Sequence, residues 1–216
     1  MTPAGSSAAR VAVLDLDGTL VDSFADLSAS VNHALRAVGL AARPPSEIRA
    51  FIGEGSRLLI QRAVDPHLHL LEPALEAWWE HYERHCLDRT ALFPGMAEAL
   101  AGAGRVLAVH TNKPGRLARK ILDGLGVGAR FAAVLGGDEA PRKPDPRGTL
   151  DLVARLGGTP SDAVFIGDSL IDAGTAAAAG IPLVAVTWGF GARVALESRR
   201  PAAIVDDVGD LAPWLA

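Results

Sequence analysis

The sequence predicts an α/β protein: a doubly wound, mainly parallel sheet with a block of helices inserted near its start. Three observations predict it. A short β-branched apolar run, Val11 to Leu14, reads as a buried parallel strand and ends in Asp15 and Asp17. From Phe93 onward, helical and strand patterns alternate, as a parallel, Rossmann-like sheet requires. Between them, from about Ser23 to Ala91, the periodicity is helical throughout.

The elements follow in order. After the first strand, Phe24, Leu27, Val31, Leu35 and Val38 recur at helical spacing across 22–40. Arg43-Pro44-Pro45-Ser46 breaks that helix, Ser46 is placed to cap a short helix over 47–51, and Gly53-Glu54-Gly55 interrupts before a helix over 56–64. Asp65-Pro66 marks a turn. The helix over 72–88 carries Leu75, Trp78, Trp79 and Tyr82 on its inner face, so the two tryptophans read as packing residues. Helices are then expected at 96–101, 114–125, 146–156 and 170–179, and strands at 106–110, 131–135, 163–166 and 183–187. The domain division is therefore 1–21 with 93–216 as the α/β core and 22–92 as a helical cap, hinged near 21–23 and 92–94.

Composition narrows the class. The chain has 216 residues, 49% apolar and 21% charged, with a net charge of −4, as in an ordinary soluble globular protein. Its lysines are only Lys113, Lys120 and Lys143, and its arginines are scattered, so no nucleic-acid partner is expected. Cys86 is the only cysteine, which excludes an intrachain disulfide and suits a reducing compartment. The opening residues 1–7 lack a basic stretch followed by an apolar one, and the apolar window 173–188 is short and broken by Gly180 and Pro182. A cytoplasmic protein without a membrane segment is expected, as monomer or homodimer.

The chemistry sits at strand ends. In an open α/β sheet the carboxyl ends of the strands face the ligand crevice, so Asp15 and Asp17, two residues apart, share one side of it. Two close carboxylates stay ionised only beside a cation, and a hard divalent ion such as Mg²⁺ suits them. Val109-His110-Thr111-Asn112-Lys113-Pro114 ends the next strand with a hydroxyl and a helix start; Thr111 and the Asn112 backbone are placed to hold an anion's oxygen. By itself Thr111 also reads as an ordinary helix-start residue. Pro141-Arg142-Lys143-Pro144-Asp145-Pro146 fixes Lys143 in a stiff loop. Gly167-Asp168-Ser169-Leu170-Ile171-Asp172 again ends a strand in acid, with Asp172 on the first turn of a helix.

These four stretches, beginning with Asp15-Leu16-Asp17-Gly18-Thr19, resemble the four signatures of the haloacid dehalogenase-like hydrolases, and the likeness covers nearly the whole chain. The resemblance implies a Mg²⁺-dependent phosphatase acting on a small phosphorylated metabolite. Asp15 would be the nucleophile that forms an aspartyl-phosphate and Asp17 the acid and base. Gly18, Thr111, Asn112 and Lys143 would hold the phosphoryl group, with Lys143 balancing the nucleophile's charge. The metal would sit on the Asp15 carboxylate, the Asp17 main-chain carbonyl and Asp168, with Asp172 supporting it or the lysine. The run 51–64 is similar to the substrate-facing loop and helix of phosphoglycolate phosphatases. That adds Gly53 and Gly55 as anion-binding backbone and Arg57 as partner of a substrate carboxylate. Thr111 to Pro114 and Val186 to Gly191 point the same way, toward 2-phosphoglycolate. Asp17 speaks against dehalogenation, and the absence of lysine from 22–92 speaks against a Schiff-base hydrolase. A β-phosphoglucomutase-like mutase, a pyrophosphatase and a catalytically silent binding protein stay open. The histidine pairs His67 with His69 and His81 with His85 lack further ligands and read as surface or packing residues, and His110 as structural.

Overall fold

The computed structural model of the protein describes residues 10–216; the opening stretch read above as lacking a targeting signal lies outside them. Six strands form one sheet: β1 (Val11–Leu14), β4 (Val106–His110), β5 (Ala133–Leu135), β6 (Ala163–Gly167), β7 (Leu183–Val186) and β8 (Ala203–Val205). Their spatial order is β5-β4-β1-β6-β7-β8, every pair parallel. The chain runs outward from β1 to one edge and returns to its other side at β6, so β1 marks the point where the winding reverses.

Side chains alternate along β1 and feed two cores. Ala12 and Leu14 join one apolar cluster; Val11 and Val13 join the other, on the opposite face. All four are fully buried, which is why the strand reads as a continuous apolar run rather than an alternating one. Helices α5 (Met96–Ala101) and α6 (Gly115–Gly124) cover the first face; α7 (Arg147–Arg155) and α8 (Leu170–Ala179) cover the second. Short helices α9 (Arg193–Glu197) and α10 (Ala212–Leu215) follow β7 and β8.

The inserted block contains α1 (Phe24–Ala37), α2 (Pro45–Phe51), α3 (Ser56–Val64) and α4 (Leu71–His85). Helix α1 packs along α4, and their buried residues Leu27, Val31, Leu35, Trp78 and Tyr82 continue the first apolar cluster. Trp78 and Tyr82 are buried on one face of α4 with Ala74, while Trp79 and Leu75 pack only partly against it. Cys86 is fully enclosed just past the end of α4. Among the described residues, no helix is long and apolar enough to cross a membrane.

Several boundaries differ from the expectation for local reasons. Helix α2 begins at Pro45 with Pro44 as its cap residue, because a proline at the first helical position is preorganised; Ser46 therefore lies inside the helix and caps nothing. The strand expected from Phe131 starts at Ala133, since a one-turn helix over Gly128–Arg130 holds Phe131 in the approach. Strands β2 (Val21–Asp22), β3 (Ala91–Leu92) and β8 and the short helices α9 and α10 have no counterpart in the sequence reading. Strands β2 and β3 form an antiparallel ribbon where the helical block leaves and rejoins the sheet, and β8 adds an edge.

Candidate functional site

The carboxyl ends of β1 and β4 open on one cavity, and that of β6 lies beside β1. Asp15 is fixed by a backbone hydrogen bond, its N–H donating to Ile166 O at 2.9 Å, so the end of β1 is locked to β6. Past it the chain turns through Gly18 at φ +87°, a left-handed conformation that favours glycine. The turn also needs the space: a Cβ on Gly18 would sit 2.5 Å from Asp168 Oδ2. Thr19 Oγ1 donates to Asp168 Oδ1 at 3.0 Å and the Phe190 N–H to Oδ2 at 2.7 Å, which aims Asp168 from β6 toward β1.

Asp15, Asp168 and Asp172 are all buried and each offers a carboxylate oxygen within 4.8 Å of the others. Lys143 stands among them, 4% exposed, its Nζ 2.8 Å from Asp15 Oδ1 and 2.7 Å from Asp172 Oδ1. Burial, then the neighbouring carboxylates, drive Asp15 up to about 8 against the pull of Lys143. Asp168 is pushed up to about 6, by burial first and by Asp172 next. Burial works against the Lys143 charge, but Asp15 and Asp172 outweigh it and hold the ammonium above its usual range. The cluster thus carries more negative charge than one ammonium balances.

The structure brings together most of the residues the sequence singled out. Thr111 and Asn112 follow β4 and line the cavity with Asp15, Asp17, Gly53 and Gly55. Asn112, whose backbone is the expected anion contact, also acts through its side chain, a staple with Nδ2 donating to Gly53 O at 2.9 Å and Lys143 O at 3.0 Å, while Oδ1 accepts from the Lys143 N–H at 2.8 Å. One amide thereby ties the β4 end, the lysine loop and the glycine loop together. Asp172 likewise has both oxygens committed, Oδ1 to Lys143 and Oδ2 to the Ser169 N–H and hydroxyl in a capping box at the start of α8. Asp17 turns its side chain to Ser23 and Lys113.

Arg57 is the correction. It lies half-exposed on the outer face of α3, paired with Glu72, and does not line the cavity. The helix explains this: Leu59, Ile60, Ala63 and Val64 are its buried residues, and Arg57 falls on the other side. Its neighbour Ser56 lines the cavity instead.

Lys113 is what sequence reasoning missed. It is 7% exposed, lines the cavity, pairs with Asp17 Oδ1 at 3.0 Å and donates to Tyr82 Oη of α4 at 2.9 Å. Its signal was scarcity, one of three lysines, standing beside Thr111 and Asn112. The histidines fall as expected. His33, His81 and His85 form a stack of parallel rings, with His81 Nδ1 on Ser30 Oγ and His85 Nδ1 on Asp88, so they converge on no ion. His110 is buried against Thr149 Oγ1 at 2.7 Å, and burial, with Lys143 nearby, lowers it to about 3, which keeps it neutral.

Comparison with known proteins agrees with this geometry. Residues 12–186 match the sequence profile of the family described as haloacid dehalogenase-like hydrolase. A phosphoglycolate phosphatase of Mesorhizobium japonicum is 38% identical over 215 residues, covering 95% of this chain and 94% of that protein. One of Agrobacterium fabrum is 37% identical, covering 95% and 91%. The crystal structure of a predicted phosphoglycolate phosphatase from Haemophilus somnus superposes with a TM-score of 0.91 at 31% identity, covering 98% of this chain and all of that one.

Proposed function

This chain belongs to the haloacid dehalogenase-like hydrolases and is a phosphatase of that family; from that premise we propose that it hydrolyses 2-phosphoglycolate with the help of Mg²⁺. The observation that carries the reading is the meeting of Asp15, Asp168 and Lys143, from three distant parts of the chain, beside a cavity small enough for a metabolite. The named activity of the relatives supplies the substrate.

The donor set fits the metal. The cluster offers hard carboxylate oxygens only, with no thiolate or imidazole, and carries excess negative charge. Asp15 Oδ1 is buried and faces Lys143 without accepting a well-formed hydrogen bond. Asp15, Asp168 and the Asp17 carbonyl would hold Mg²⁺, which when bound supplies charge neutralisation at the phosphoryl oxygens.

Asp15 attacks phosphorus in line; the P–O bond to the alcohol breaks and an aspartyl-phosphate forms. Asp17 delivers its proton to the departing alkoxide, then takes one from the water that opens the acyl phosphate, so it serves both halves. Its side chain, held by Ser23 Oγ at 2.5 Å and Lys113, is fixed for that work. Lys143 and the Thr111 hydroxyl stabilise the equatorial oxygens, a preorganised field of the kind that dominates phosphoryl transfer. The helical block, residues 22–92, acts as a cap that keeps bulk water from the intermediate. A substrate of this kind and a single buried thiol suit the cytoplasm.

The test is phosphate release from a panel of phosphomonoesters and pyrophosphate, with Mg²⁺ or a chelator, beside Asp15→Asn. We expect 2-phosphoglycolate to lead the panel, release to need Mg²⁺, and the variant to fall by about 10³-fold or more. Release by the variant at the native rate would remove Asp15 as the nucleophile; a rearranged phosphate ester in place of free phosphate would make the enzyme a mutase.

A further inference from the structure

The cavity before Asp15 and Asp17 measures about 50 Å³, room for a few waters or a leaving group of that bulk. Its cap side is apolar, with Leu27, Ile52 and Leu59, and two polar groups beside them each keep an N–H that breaking the phosphate ester does not use. The first is the Lys113 ammonium. Of its three N–H bonds, Asp17 and Tyr82 account for two and leave one to spare. The second is the Trp78 indole, 2% exposed, whose Nε1–H meets no acceptor. A buried donor without a partner is costly and calls for one.

Both residues line the cavity wall and are linked through Tyr82. The Trp78 and Tyr82 rings stack with centroids 4.8 Å apart, and Lys113 Nζ lies 4.8 Å from the Tyr82 centroid. Both free groups are donors and one carries positive charge, so the wall is complementary to an anion with at least two acceptor oxygens. The phosphoryl group belongs at Asp15 and Lys143. What remains for this wall is the alcohol half of the substrate.

Resting on the substrate reading above, we propose that Lys113 Nζ and Trp78 Nε1 together bind a carboxylate on the leaving alcohol, and so select phosphomonoesters that carry one. A neutral alcohol would leave the indole unpaired, and a site built to pair a polar substrate group rejects the analogue that lacks it.

The experiment compares kcat/KM for 2-phosphoglycolate and for ethyl phosphate, which lacks the carboxylate, in the Mg²⁺-loaded native enzyme, Trp78→Phe and Lys113→Met. A binding readout accompanies it: calorimetric affinity for 3-phosphonopropionate and for propylphosphonate, neither of which is hydrolysed. We expect a native preference of about 100-fold or more for the carboxylated ester, narrowed about tenfold in each variant: in Trp78→Phe mainly through KM, and in Lys113→Met on top of a fall in kcat for both esters, because Lys113 also holds Asp17. The phosphonate affinities should converge in step. If either variant fails to fold by circular dichroism, Trp78→His or Lys113→Gln replaces it. A native preference that persists within twofold in both variants, with the phosphonate ratio unmoved, overturns the assignment and leaves the substrate reading standing. No native preference for the carboxylated ester overturns the substrate reading and the assignment together.

Discussion

Replacing Asp172 with asparagine preserves the shape of a fully buried side chain and removes one charge. Natively its Oδ1 accepts from Lys143 Nζ at 2.7 Å, and its Oδ2 accepts from Ser169 Oγ at 2.6 Å and the Ser169 N–H at 3.1 Å. An amide has one acceptor oxygen, so either the lysine or the helix cap must face an NH₂ group. Turned against Ser169, the amide breaks the capping box of α8, a loss of about 1 kcal/mol. Turned against Lys143, it strips a charge-assisted hydrogen bond from a buried ammonium, a loss of about 2 kcal/mol. Part of this is returned, because the Asp172 charge raises both Asp15 and Asp168 and that repulsion is relieved. The net loss is about 1 kcal/mol, or roughly 2–4 °C in Tm for a chain of this size. Lys143 also loses one of its two anchors, and a misplacement of about 1 Å is enough for a fall of about 10²-fold in kcat. Thermal unfolding by circular dichroism with Mg²⁺ at pH 7 and steady-state phosphate release measure both. Ser169→Ala is the companion: it removes only the cap hydroxyl, so Tm should fall by about 2–4 °C while kcat stays within about threefold. An Asp172→Asn enzyme that unfolds and turns over like the native one refutes the reasoning. A Ser169→Ala enzyme with the same kcat loss would mean that Asp172 serves the helix rather than the lysine.

Three further outcomes follow from the same geometry. Gly18→Ala must hold φ near +87° and place a methyl against Asp168, so stability should fall by about 2 kcal/mol and Mg²⁺ affinity with it; a calorimetric Kd equal to the native one refutes this. Asp15 and Asp168 titrate near about 8 and about 6 in the folded chain against an ordinary 3.8, so across that window the folded state holds more protons than the unfolded one. Metal-free stability should therefore fall as pH rises from 5.5 to 8, and the Tm rise on adding Mg²⁺, which competes with those protons, should grow over the same range; an equal or larger rise at pH 5.5 would contradict the charge assignment. Arg57→Ala removes only an exposed pair with Glu72, so kcat/KM for 2-phosphoglycolate should stay within about twofold, and a tenfold fall would return Arg57 to the site.

Much of this was legible because it is local. Asp15, Asp17, Thr111 and Asp168 announce themselves by standing where an apolar strand stops, and Lys143 by the prolines around it. What escaped depends on partners far along the chain. Lys113 draws its role from Asp17 and from Tyr82, the latter on a helix of the inserted block, and Asn112 from the backbones of Gly53 and Lys143. Arg57 was placed by the resemblance of 51–64 to a substrate-facing segment, which does not carry the helix phase: α3 turns Ser56 toward the cavity and Arg57 toward Glu72. The β2–β3 ribbon has two residues per strand, too few for any periodicity to register.

That ribbon has an architectural consequence. Val21 faces Leu92 and Asp22 faces Ala91, so the two points at which the polypeptide crosses out of the sheet lie one strand spacing apart, about 5 Å. A gap that narrow is one that a two-residue turn closes. The register of β1 is therefore indifferent to the length and architecture of whatever is spliced between Asp22 and Ala91, and the selectivity of such an enzyme can be rewritten by exchanging that segment so long as the replacement keeps the Ser23 hydroxyl on Asp17 and the anchors of Asn112 and Lys113.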